Sequence, residues 1–395
     1  MNFREEAEKN EQWIVEQRRF FHQCPELSEK EVNTTKEIGK RLEEMGLTPH
    51  YYDGYTGLTA DIKGGKAGAG TKTVALRADI DGLPVEEHTG LSFCSRNDGV
   101  MHACGHDCHI SMLLGGVKML MDHRDELQGT VRILFQPAEE VAMGAKYMIE
   151  HGALEGVDAI YGAHIWGGFE APYLNFESGP RMASCDEFRI EVNGLSAHGS
   201  APHAGVDALT TAVHIVSEAQ EIVSRYNDPL NPLVVTFGTI NGGQRFNIIP
   251  NKVVMTGTVR TLSAEMRKKT EELLRSIVEH VTAIHGATGT LEMQYLTGVV
   301  VNDDEDLNQI AEKAAVKLYG EGCLKHLEKM MGSEDFSFFM DEVPGVYGFL
   351  GSYDPEKGYT ASNHNDCYTV DEELLKRGAA MYAQFAFDYL EAKAE

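Results

Sequence analysis

The chain has 395 residues, 42% of them hydrophobic, which is material for more than one domain and for a large core. It carries 35 basic residues against 61 acidic ones, a formal net charge of −26, with no local basic patch, and this excludes nucleic acid and anionic membrane surfaces as partners. Its seven cysteines are scattered, its first residues are densely charged where a signal peptide would be apolar, and no run is long enough to span a bilayer. The expectation is a cytoplasmic protein in a reducing compartment.

In chain order, helix and strand signals alternate. Ser28 and Glu31 have the spacing of a capping box, and the helix they open stops near Gly46. Thr73 to Leu76 leads a strand into Asp79. A helix follows from about His109 to Asp122, then a strand Val131 to Phe135, a helix near Ala145 to Glu150 and a strand Asp158 to Ala163. This is the pattern of an α/β domain with a mostly parallel sheet and helices on both faces. Asp79, Glu139, Glu140 and His164 then fall just past the carboxyl ends of strands, where open α/β sheets build their sites.

A new pattern begins after Ser178, Gly179 and Pro180: strand 185–193, helix 205–225, strands 233–240 and 252–260, helix 263–284, strand 289–297. The order βαββαβ predicts a ferredoxin-like unit inserted between two halves of the first domain. The expected division is residues 1–182 and 298–395 for the catalytic α/β domain and 183–297 for a dimerisation or lid domain, whose edge strand offers a dimer contact. A helix from Asp371 to Tyr389 is expected to pack back on the first domain.

The densest chemistry lies in Met101 to His109. Cys104 and His106, two positions apart, would project to the same side of an extended segment, as two ligands to one metal must. Alone they read equally well as a buried thiol and a histidine opening a helix, and the spacing from Cys104 to Cys108 does not match a structural zinc pair. Downstream, Glu139 and Glu140 end an apolar strand, so one carboxylate can bind metal while its neighbour handles protons. His164 follows another apolar strand and His364 sits in a polar loop. The set Cys104, His106, Glu140, His164 and His364 suits borderline divalent metals.

Ala75 to Asp79, Cys104 to Asp107, Gln136 to Glu140, Gly162 to His164, Ser196 to Pro202 and Gly332 to Phe336 together resemble the aminoacylase and carboxypeptidase family of co-catalytic metallohydrolases. The resemblance covers nearly the whole chain and points to the branch of hippurate hydrolase, auxin-conjugate hydrolases and bacterial N-acyl-amino-acid amidohydrolases. It implies two divalent metal ions per subunit, zinc or manganese, cobalt or nickel. Cys104 would bridge them, with His106, Glu140, His164 and His364 completing the ligand set and Glu139 as general base. Asp79 would orient a ligand. His198 would reach the partner subunit's site and stabilise the oxyanion, which makes a homodimer, or a higher homo-oligomer, the active form. Asn247 and Arg260 would hold the substrate's free carboxylate.

Two departures from the wider family stand out. Arg77 occupies the place of a usual metal-binding histidine, and the segment around His364 lacks a common proline. The implied activity is hydrolysis of small N-acyl-L-amino acids, with a metallocarboxypeptidase or dipeptidase as the alternative and a catalytically silent homologue as a third reading.

Overall fold

A computed structural model describes residues 2–394 and divides them into two compact units. The first contains the described residues up to Gly179, Val301–Glu328 and 335–394. Its sheet has seven strands in the order His50–Tyr51, Leu58–Lys63, Thr130–Gln136, Thr73–Asp79, Ala159–Glu170, Gly345–Tyr353, Leu174–Asn175. The four central strands run parallel, and the flanking ones pair antiparallel with them or with each other. Val74, Ala75, Leu76 and Ala78 are all buried on the strand that leads to Asp79, as expected of a parallel strand covered on both faces. The helices Phe3–His22, His106–Asp122 and Leu375–Ala392 pack on one another, so the last helix does fold back on this unit.

The second unit contains Pro180–Val300 and Lys329–Glu334. Its strands Ser184–Asn193, Leu233–Gly242, Lys252–Thr261 and Thr288–Thr297 form a fully antiparallel sheet in which the first and third strands are central. Helices Ala208–Glu221 and Ala264–Ile284 pack on it through Ala212, Ile215, Leu274 and Val278. This is the ferredoxin-like order. The segment Lys329–Glu334, which the sequence assigns to the last catalytic stretch, joins this unit instead.

Several local expectations are corrected. Ser28 and Glu31 form no capping box, and the helix Val32–Glu44 has no side-chain cap at its start. Ser28 donates to Asp81 (2.7 Å), while buried Glu31 accepts from Thr56 (2.6 Å) and from the Ala138 N–H (2.8 Å). Tertiary partners outbid the local cap. The third helix starts at His106, not His109. Cys104 and His106 therefore lie on a loop-to-helix elbow, not on an extended segment, because Gly105 between them takes φ 93°. The strand of His164 does not end at Ala163 but continues to Glu170, because Gly345–Tyr353 keeps pairing with it after Thr73–Asp79 drops away at Arg77↔Gly162. His164 thus sits just where one neighbouring strand leaves, which opens space for a site at the sheet's edge of divergence.

Candidate metal centre

Gly105 sets the first two groups. Its left-handed φ is one that side chains rarely adopt, and a Cβ there would meet Ile165 Cγ2 at 2.8 Å, so glycine is required by backbone and by space. The elbow turns the Cys104 thiol and the His106 ring toward the open end of the sheet. His106 Nδ1 faces the Asp81 carbonyl at 2.9 Å and the Asp81 carboxylate at 3.2 Å, which leaves Nε2 as the ring's free position. His164 Nδ1 likewise donates to the Ile165 carbonyl (2.6 Å) and turns its Nε2 to within 3.4 Å of Cys104 Sγ. His364, at φ 68°, is anchored by its own N–H to the Ala103 carbonyl (2.7 Å), and its Nε2 lies 3.3 Å from the same sulfur. Asn363 braces this loop by donating to the Cys104 carbonyl (2.9 Å) and accepting from the Gly167 N–H (2.8 Å).

Glu140 completes the convergence. Its Oε1 is 3.8 Å from His106 Nε2 and 3.4 Å from His364 Nε2, and its N–H donates to Asp81 at 3.1 Å. Two groups of donor atoms result, Cys104 with His106 and His164, and Cys104 with Glu140 and His364, each mutually within 4.8 Å and sharing the one sulfur. Glu139 stands beside them in a further group with His106 and Glu140. The loop carrying both glutamates is tightly drawn: Ala138 and Ala142 take φ 51° and 55°, and a Cβ on Gly144 would fall 1.6 Å from the Pro137 carbonyl oxygen.

The residues fit a divalent cation on two observations. His106 Nε2 and Glu140 Oε1 are buried without any hydrogen-bond partner, an arrangement that costs free energy unless something accepts their lone pairs. The electrostatics also favour a cation. Burial, then Glu140, Glu139 and Asp79, push the Cys104 thiol well above its ordinary pKa. Burial opposes the His106 imidazolium, yet Asp79, Asp81 and Glu140 prevail and push it up to about 10. A bound cation would replace that proton and stabilise the thiolate.

Asp79, buried and ionised, touches the centre indirectly. It pairs with Arg77 (2.7 Å) and with His109 Nδ1 (2.5 Å), and lies 3.7 Å from His106 Nε2. Arg77 itself is a buried cation that binds Gln136 (2.7 Å) and Asp335 (3.1 Å). Asp335 in turn receives the Ala145 N–H and gives its own N–H to Glu139, so Arg77 occupies its place as a strut under the glutamate loop.

His198, Asn247 and Arg260 belong to the second unit. His198 is exposed, its Nδ1 bonded to the Ser200 hydroxyl at 2.7 Å, and it pairs with Ile248 in a two-strand ladder that brings it next to Asn247. Arg260 is not brought to them. It pairs with Cys185 near one end of the sheet ladder, whereas the chain leaves for His198 and returns from Asn247 at the opposite Asn193↔Lys252 end, which is roughly 26 Å from Arg260 at about 3.3 Å per residue. Arg260 donates to the Met331 carbonyl (3.3 Å) and Ser333 Oγ (3.4 Å).

The parts that Asp81, His109, Asn363 and Glu31 play in bracing the site are not read from the sequence. His109 could have been found, since three positions after His106 it shares that helix face. Asp81 leaves only the trace of a second carboxylate two residues after Asp79.

The family model for Peptidase family M20/M25/M40 matches residues 75–388. Among curated proteins, the chain is 40% identical over 383 residues to Thermostable carboxypeptidase 1 of Saccharolobus solfataricus, covering 96% of each. It is 37% identical over 382 residues to N-acetylcysteine deacetylase of Bacillus subtilis, covering 96% of this chain and 97% of that one. A solved dinuclear metal binding peptidase from the M20 family, also of Bacillus subtilis, superposes with a TM-score of 0.85 at 35% identity, covering 97% and 99%. The chain belongs to peptidase family M20/M25/M40. It is a metal-binding hydrolase of amide bonds.

Proposed function

We propose that this protein hydrolyses the amide bond of small N-acyl-L-amino acids to a free amino acid and a carboxylic acid. The observation that carries the reading is the pair of donor groups sharing Cys104 with Glu139 beside them. Cys104, His106 and His164 would hold one divalent ion, and Cys104, Glu140 and His364 a second, with zinc, manganese, cobalt and nickel all compatible with this mixture of thiolate, imidazole and carboxylate. Such ions, when bound, polarise the amide carbonyl and acidify water. Glu139 takes a proton from the attacking water and returns it to the leaving nitrogen, so one water is consumed as the C–N bond breaks. Asp79 keeps His106 and its surroundings oriented through His109 and Arg77.

The separation of Arg260 from His198 and Asn247 supports a homodimer. Groups at opposite ends of one sheet cannot grip one small substrate, but Arg260 of one protomer and the partner's His198 and Asn247 can. His198 would then stabilise the oxyanion and Asn247 and Arg260 the free carboxylate. Exposed Ile240 on the edge strand, Phe246 (94% exposed) and Val213 (52% exposed) supply apolar surface for such an interface. All seven cysteines are unpaired, as suits a reducing cytoplasm, and among the described residues no helix is long and apolar enough to cross a membrane.

Carboxypeptidase action on small peptides is the second reading, favoured by the name of the 40% identical relative. Amine release from N-acetyl, N-benzoyl and longer N-acyl amino acids and from dipeptides, measured with chelator and then with zinc or manganese restored, decides between them. Chelator-sensitive release greatest on acyl amino acids is expected. Preference for dipeptides establishes the second reading, and release untouched by chelator refutes both.

A further inference from the structure

A cavity of about 230 Å³ lies in the first unit, lined by residues of the helices Phe3–His22, Glu305–Tyr319 and Leu375–Ala392, and shares no residue with the metal centre. Its feature is Arg377. The guanidinium carbon lies 3.8 Å from the centre of the Tyr319 ring, and that of Arg4 lies 5.8 Å from the same ring. Tyr319 is fixed there by its hydroxyl, which donates to the Arg377 carbonyl at 3.3 Å.

Every other cation of the wall has a carboxylate. Arg4 pairs with Glu8 (3.4 Å), Lys357 with Asp371 (2.5 Å) and Glu373 (3.5 Å), and Lys376 with Glu11 (2.9 Å). The remaining acid, Asp354, accepts the N–H groups of Glu356 and Lys357. Among the described residues none of these carboxylates engages Arg377, whose charged neighbour is Arg4, a second cation, and whose Nε is buried with no acceptor.

A half-buried guanidinium cannot shed its proton, so leaving it unpaired beside a like charge is costly. Stacked on a ring, it keeps its N–H edge available for acceptors lying in its plane, the geometry that carboxylates and phosphates match. The cavity falls below the ordinary size of a small-molecule pocket, which favours a compact occupant.

We propose that this cavity is a binding site for a compact oxyanion, held by Arg377 with Arg4 as the second cation. Inorganic phosphate and a short carboxylate such as acetate share the required chemistry. Calorimetric titration of the metal-loaded enzyme with sodium phosphate and, separately, with sodium acetate, at ionic strength held constant with sodium chloride, tells the two sources apart. Both anions also meet the metal centre, so the comparison is with Arg377→Gln and Arg377→Lys. The expected result is a binding component in the unaltered protein that weakens at least about tenfold in Arg377→Gln and less in Arg377→Lys, which keeps the charge but loses the fork. Turnover without added anion and competitive inhibition at the metal centre stay unchanged in both variants. Isotherms that are the same in the unaltered protein and Arg377→Gln, or no component beyond the metal centre with either anion up to about 10 mM, overturn the proposal. Should Arg377→Gln fail to fold by circular dichroism, Arg377→Lys decides alone: weaker binding supports the site and unchanged binding refutes it.

Discussion

Glu139 and Glu140 are neighbours in sequence with different surroundings. Glu140 turns an oxygen with no hydrogen-bond partner toward His106 and His364, whereas Glu139 is tied to the Asp335 N–H at 3.4 Å and lies beside the donors. Replacing Glu139 by Gln should leave metal content, measured by plasma mass spectrometry, close to normal while turnover falls by about 10²–10⁴, the range of a lost general base. Loss of metal along with activity would assign Glu139 to the ligand set instead. A second buried cluster sets a pH limit. His22 lies between Asp107 (2.9 Å) and Glu87 (3.2 Å), and although burial opposes its charge, the two carboxylates together outweigh it and raise the pKa to about 9. A histidine with a raised folded-state pKa stabilises fully below its ordinary value near 6.5 and loses that contribution as pH rises through about 9. The thermal midpoint should therefore fall between pH 6.5 and 9, by an amount on the order of 3 kcal/mol in stability, and His22→Gln should flatten that slope. An unchanged slope in the variant would remove His22 from the explanation.

At the level of elements, three turns fix the site. The Gly105 elbow aims the first helix residue, the Pro137–Gly144 loop with its two left-handed alanines carries the glutamates, and the His364 turn, also left-handed, closes the far side. Gly105→Ala combines a disfavoured φ with a contact at 2.8 Å to Ile165, so a cost above ~1 kcal/mol is expected. Because the strain falls between Cys104 and His106, the effect should be larger on metal retention in a chelator competition than on the thermal midpoint of the metal-free protein. Equal retention by Gly105→Ala and the unaltered chain would show that the elbow does not position the donors. The capping box that the sequence predicts and the structure does not form belongs to this scale too. The spacing of Ser28 and Glu31 is correct for a local cap, but both side chains bond across the unit to Asp81, Thr56 and Ala138, and nothing within four residues signals those partners.

On the scale of the whole molecule, the proposed active form needs two copies. If His198 serves the partner's centre, a mixture of Glu139→Gln and His198→Ala subunits regains activity, because the mixed dimer has one centre with an intact Glu139 and an intact partner histidine. Random exchange of equal amounts should restore about a quarter of the unaltered activity. No recovery after verified subunit exchange would place His198 in its own subunit's chemistry or outside the chemistry altogether.

The types and order of the chemical groups were legible from the residues alone. Cys104, His106, Glu139, Glu140, His164 and His364 carry chemistry in their side chains, and hydrophobic periodicity located most of the helices and strands around them, because burial imposes those periods locally. Convergence was not legible. The meeting of His364 with Cys104, 260 positions earlier, the bracing of His106 and Glu140 by a single Asp81, and the separation of Arg260 from Asn247 depend on strand order and register. Those are properties of long-range pairing, which local sequence constrains only weakly, and so tertiary structure alone decided them.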